Sequence, residues 1–153
     1  MGLKGRVASF EMVPETIKIL RHHIDLNMLE NCIVIEGALA ENSGLPITAF
    51  LTEGKSGQSS IKHVKGEKSI NVNSVKLADY LENVSEIKLM KMDLERAELG
   101  ALLGAKEQLH KIKSIIFENR GADKVVQYLS ERNFNVTDLD ANNSIALKLE
   151  ETN

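Results

Sequence analysis

Several apolar runs in this chain end in a carboxylate, and those ends are where its chemistry would sit. Glu11 closes the run 6–10, Glu36 closes 32–35, Asp93 closes 87–92, and Glu118 with Asn119 follows 114–117. An acid after an early strand can accept both hydroxyls of a ribose in a charge-assisted, bidentate arrangement. Asp93, Glu118 and Asn119 offer the hard oxygen donors that Mg²⁺ takes. A polar rim without metal accounts for the same three residues more simply, and no metal is assigned. The histidines add little: His22 and His23 are adjacent, His63 lies apart, His110 falls near a helix end, and none has metal-ligand spacing with another. Cys32 is the single cysteine, which excludes a disulfide framework and a cysteine metal cage. Within Cys32-Ile33-Val34-Ile35 it reads as a small buried thiol.

The elements that must position these residues follow from the pattern. A strand over 6–11 leads to a helix whose first turn suits Pro14, because proline's missing N–H would be unpaired there. Ile17, Leu20, Ile24 and Met28 recur at helical spacing and give that helix an apolar face. Strands are predicted over 32–36 and 45–51, with a Gly/Ser-containing loop over 53–60. A short extended piece over 70–73 precedes a short helix over 75–81. A strand over 87–93 and a helix over 97–110 follow, with Leu99, Leu102, Leu103 and Leu109 on the buried side. A strand over 114–117 and a helix over 123–132, burying Val125, Val126 and Leu129, complete the alternation. Strands over 134–139 and 144–149 flank Asp140-Ala141-Asn142-Asn143, which is good hairpin-turn chemistry. The alternation predicts an α/β fold, mostly a parallel sheet covered by helices and closed by a C-terminal antiparallel hairpin.

Bulk composition narrows the function classes. The 153 residues amount to one domain, and 42% hydrophobic content can bury a sizeable core, which argues against disorder. A net charge of -3 argues against a nucleic-acid partner held by phosphate neutralisation. Lys62, Lys65 and Lys68, interrupted by Glu67, read as a solvated loop. The absence of a long apolar run or signal core predicts a cytoplasmic protein without membrane contact.

At this point a family resemblance becomes specific. Gly5-Arg6-Val7-Ala8-Ser9-Phe10-Glu11, then Pro14-Glu15 and Leu26-Asn27, resembles the pattern G-x-V-x-A-F-E-P-x-P-E leading to a helix that ends in L-N, found in FkbM-like methyltransferases. Glu36-Gly37-Ala38-Leu39 is similar to the family's next strand end and its A-L turn. Lys91-Met92-Asp93-Leu94-Glu95-Arg96-Ala97-Glu98-Leu99, with Leu103-Gly104-Ala105 after it, is similar to K-I-D-V-E-G-A-E-L … L-x-G-A. Ile115-Ile116-Phe117-Glu118 resembles L-I-F-E.

The resemblance implies a Rossmann-like class I methyltransferase fold with S-adenosylmethionine as cofactor. It implies transfer of a methyl group to an oxygen of a small molecule or sugar. By position, Glu11 would hold the ribose, Met12 would lie near the adenine, and Ala38 and Leu39 would line the adenine pocket. Asp93 and Glu95 would face the cofactor and acceptor side, and Asp93, Glu95 or Glu118 would act as the general base that takes the acceptor's proton.

Two departures qualify those expectations. Arg96 stands where the family pattern keeps a glycine, placing a long cation where it could reshape the acceptor pocket or bind an anionic acceptor. In addition, few residues precede the strand over 6–11, whereas the family begins with a strand, a D-x-G-A-N-x-G loop and a helix of about 25–30 residues by analogy with other nucleotide-binding units. The expectation is therefore a domain lacking that first strand and glycine-rich loop, binding the cofactor no tighter than about the high-micromolar range. It would self-associate through unpaired strand edges. The competing readings are a catalytically inactive remnant acting as an oligomeric or partner-binding module, and a nicotinamide-binding domain. The second is disfavoured by Asp93-Leu94-Glu95 and the terminal hairpin.

Overall fold

The computed structural model describes residues 5–51, 59–60 and 68–150. The tetrapeptide 1–4, most of the predicted loop over 53–60, and Lys62, His63 and Lys65 lie outside the described residues. The chain divides into two compact units, 1–75 and 76–153.

In the first unit, β1 (Val7–Glu11) and β2 (Cys32–Glu36) pair in parallel, with Val7 opposite Cys32 and Glu11 opposite Glu36. Parallel neighbours need a crossover, and α1 (Pro14–Leu26) supplies it with Pro14 at its start, as expected. Its buried contact is Ile17, while Leu20 and Ile24 are half-buried. Met28 corrects the predicted apolar face. The helix has already ended, Met28 takes a left-handed φ of 52°, and its side chain is 83% exposed. Cys32 is half-buried rather than fully enclosed.

The middle of the chain departs from the predicted parallel pattern. Here β3 (Ala38–Ala40), β4 (Pro46–Leu51), β5 (Ser59–Ser60) and β6 (Lys68–Lys76) form a sheet of order β3-β6-β4-β5. β4 pairs antiparallel with both β5 and β6. Antiparallel neighbours need no crossover helix, and none lies between β4 and β6 among the described residues. Asn71 and Asn73 alternate with Ile70, Val72 and buried Ser74, the period-2 pattern of a half-solvated strand. The piece predicted over 70–73 therefore runs nine residues and absorbs the start of the predicted helix, leaving a 3-10 turn at Leu77–Tyr80. The expected A-L turn is β3 itself.

In the second unit, β7 (Met90–Met92), β8 (Ser114–Glu118), β9 (Phe134–Asp138) and β10 (Asn143–Lys148) form a sheet of order β7-β8-β10-β9. β7 and β8 are parallel, and β10 runs antiparallel to β8 and β9, so the terminal hairpin is present. The predicted strand over 87–93 shortens to three residues plus an isolated bridge from Ile87 to Ile112. The predicted helix over 97–110 breaks into α2 (Glu98–Leu103) and a 3-10 turn at Leu109–Lys111; Gly104 falls at the break. α3 (Asp123–Ser130) packs against α2 and β9. Ile115 and Phe117 from β8, Ala146 from β10, Leu102 from α2 and Leu129 from α3 are fully buried. The fold is thus a mixed α/β arrangement of several sheets.

Candidate functional site

Ligands of open α/β sheets gather beyond the carboxyl ends of the strands, and each unit presents one such end. In the first unit, Glu11 is the last residue of β1. Its Oε1 accepts the backbone N–H of Met12 at 2.7 Å and of Val13 at 2.9 Å. Those amides open α1, where Val13 contributes no side-chain cap. One carboxylate oxygen therefore closes the strand-to-helix junction, while Oε2 takes part in neither bond. The Glu11 carbonyl accepts the N–H of Gly37 at 2.9 Å, so Glu11, Met12 and the start of β3 meet at one strand end. Ala38 is buried, and Met12 and Leu39 are half-buried.

Gly37 makes this meeting possible. Its φ is +144°, and a Cβ there would lie 2.6 Å from Val75 Cγ1 and 3.0 Å from the Asn73 carbonyl oxygen. Glu36, across from Glu11, turns instead to Arg21, 2.7 Å away on α1, in an exposed ion pair.

In the second unit the parallel register sets Met92 opposite Phe117. Asp93 and Glu118 therefore follow side by side on adjoining strand ends. Asp93 is exposed and pairs with Lys91 Nζ at 3.1 Å. Glu118 is more enclosed, with Arg120 Nε 3.6 Å from its Oε1. The backbone N–H of Asn119 donates to the Asn142 carbonyl at 2.9 Å, tying this end to the hairpin. Among the described residues no group of three or more His, Cys, Asp or Glu side chains converges to hold a metal ion.

Glu95 lies in a tight turn after β7. The Ala97 N–H donates to the Leu94 carbonyl at 3.1 Å, closing a four-residue turn. Its two central residues, Glu95 and Arg96, have φ of 49° and 74°. Positive φ at both central positions marks the mirror-image, type I′ class, which glycine, asparagine and aspartate favour. The glycine in the family-like pattern thus has a backbone reason, and Arg96 occupies its place under strain.

Glu98 holds the turn, and sequence reasoning gave it no role. Its side chain is buried, 5% exposed, and its Oε1 accepts the Leu94 N–H at 2.9 Å. The available signal was a carboxylate on the core-facing side of an apolar helix, a position that needs a hydrogen-bond partner. Arg96 is exposed and makes no hydrogen bond or ion pair among the described residues.

No helix among the described residues is long and apolar enough to cross a membrane. A family model described as methyltransferase FkbM domain matches residues 1–136. No curated protein matches the chain, and no solved structure does.

Proposed function

The chain belongs to the methyltransferase FkbM domain family, and from that membership we propose an O-methyltransferase of small-molecule or sugar acceptors that uses S-adenosylmethionine. The family is generally dependent on that cofactor. The observation that carries the reading is the state of Glu11: two amides pin its Oε1 and leave Oε2 outside both bonds. With Oε1 taken by the amides, Oε2 is the oxygen left to accept ribose hydroxyls, and little side-chain freedom is left to lose on binding. Met12, Ala38 and Leu39, gathered at the same strand end, supply apolar surface for the adenine.

Glu11, Met12, Ala38 and Leu39 would hold S-adenosylmethionine, which would supply an electrophilic sulfonium methyl for transfer to an acceptor oxygen, the C–S electron pair leaving with the sulfur. The chain's own part is to orient the acceptor and to take the hydroxyl proton. Asp93, Glu95 and Glu118 are the carboxylates proposed for that proton. Asp93 and Glu118 favour the role by their adjoining strand ends, and Glu95 by the rigid turn that carries it. The proposed location is cytoplasmic.

Calorimetric titration with S-adenosylmethionine tests the cofactor reading. Glu11→Gln keeps an oxygen for the Met12 and Val13 amides but removes the charge offered to the ribose. Hydrogen bonds to charged groups contribute about 1.5–3 kcal/mol, so affinity should fall roughly tenfold, and for Glu11→Ala up to roughly a hundredfold. Glu36→Ala removes only the exposed pair with Arg21 and should leave affinity nearly unchanged. Equal binding by Glu11→Gln and Glu36→Ala would sink the ribose assignment.

A further inference from the structure

We propose that Arg96 is a specificity-determining residue that selects an acceptor carrying a carboxylate or phosphate group. The inference rests on the methyltransferase reading for the word acceptor, but its physical content concerns Arg96 alone. Three observations lead to it. First, Arg96 holds a left-handed φ of 74° at the second central position of a type I′ turn. The side chains suited to that position are short or absent, so turn formation alone does not account for a long cation there. Backbone strain retained in this way is a pointer to function.

Second, no described residue pairs with its charge. Arg21 pairs with Glu36, Arg120 with Glu118, and Arg132 stacks on Tyr128 while bonding its carbonyl. Arg96, like Arg6 near the start of the described chain, has no such partner among the described residues, although Glu95 precedes it. Asp93, three positions earlier, is already engaged by Lys91.

Third, the turn is anchored. Buried Glu98 grips the Leu94 N–H, and the Ala97 N–H closes the turn on the Leu94 carbonyl. The base of the arginine is therefore fixed while its side chain is exposed, one residue after Glu95 and three after Asp93 in the chain. A planar guanidinium forms paired hydrogen bonds with carboxylate or phosphate oxygens. The cofactor's own carboxylate shares that chemistry, so the test must separate the two.

The experiment is an NMR titration of the full chain, labelled with nitrogen-15, using glucuronate, glucose 6-phosphate and glucose as probes. Glucuronate, glucose 6-phosphate or both should shift the Arg96 Nε–H signal and the amides of Leu94 to Ala97, and glucose should not. A response to one anion alone identifies the acceptor's charged group as carboxylate or as phosphate. Arg96→Gln should weaken the anion response at least fivefold, and Arg96→Lys should retain only part of it, because an ammonium keeps the charge but not the paired hydrogen bonds. Arg96→Gly, which relieves the turn, should fold and lose the response, separating charge from backbone. Failure to bind S-adenosylmethionine would count against the function proposed above and leave these titrations readable. The proposal is overturned if glucose shifts the same signals as strongly, if neither anion shifts them, or if Arg96→Gln responds like the parent. It is also overturned if Arg96→Gln weakens S-adenosylhomocysteine but not 5′-methylthioadenosine, which lacks the carboxylate. That result would assign the guanidinium to the cofactor.

Discussion

Glu95 and Arg96 occupy backbone conformations that most L-residues avoid, and the chain holds them there with a single buried carboxylate. The left-handed region costs an ordinary residue roughly 1–2 kcal/mol. Glycine relieves that cost but loses about 0.5–1 kcal/mol to its greater freedom in the unfolded chain. Arg96→Gly should therefore stabilise the protein by about 0.5–1 kcal/mol, read as a higher urea midpoint at constant slope. An unchanged or lower midpoint would mean that Arg96 makes a stabilising contact that outweighs the strain. Glu11 illustrates a different lesson at the same scale. Its position after β1 was legible, but its service to the Met12 and Val13 amides was not, because a carboxylate at a strand end reads alike whether it caps a helix or awaits a ligand.

At the scale of elements, the passage from β2 to β3 depends on one atom being absent. Gly37 lets the chain pass Val75 at a distance that no Cβ tolerates and the Asn73 carbonyl at one that a Cβ would meet only tightly. Gly37→Ala combines overpacking with a disfavoured φ and should cost about 2–4 kcal/mol in denaturant unfolding. Adding Val75→Ala should recover only part of this, since the Asn73 carbonyl oxygen remains 3.0 Å from the new methyl. Full recovery in that double-mutant cycle, or a neutral Gly37→Ala, would contradict the close approach.

The β9–β10 hairpin offers a pH-dependent counterpart. Asp140 Oδ1 accepts the N–H groups of Asn142 at 2.7 Å and Asn143 at 2.9 Å, and the Asn143 side-chain amide reaches both carboxylate oxygens. The Asn142 amide foremost, then the Asn143 side chain and backbone, hold the Asp140 carboxyl below its ordinary value. A carboxylate lowered on folding adds stability that is complete above its unfolded-chain pKa and fades as pH falls through the folded value. Thermal melts should therefore show Asp140→Ala less stable than the parent at neutral pH, with the gap closing in the acid range below ordinary carboxylate titration. A gap that stays constant down to the acid limit would remove the charged turn as its cause.

For the whole molecule, large apolar side chains bunch on the surface of the first unit between the end of α1 and β2. Leu26, Met28, Leu29 and Ile33 are all exposed there, and clustered exposure of this kind marks contact surfaces more often than isolated residues do. These residues support the proposal that the protein self-associates. Light scattering should give a mass above the monomer that rises with concentration, and Met28→Lys with Ile33→Lys should shift it downward. A monomer mass across a wide concentration range would refute the proposal.

The sequence by itself determined the family, the alternating α/β character, the crossover helix at Pro14, the terminal hairpin and the carboxylates that close the strands. These are written in local pattern: apolar runs of strand length, a proline at a helix start, turn residues around Asp140. What only the tertiary structure decided was which strands pair. β3 to β6 form their own antiparallel sheet, since strand patterning carries a face and a period but names no neighbour. The role of Glu98 was equally hidden, because its partner is a backbone amide, and every residue but proline carries one. The fit of Gly37 against Val75 and Asn73 joins positions far apart in sequence, and only folding brings their atoms near enough for a single missing methyl to matter.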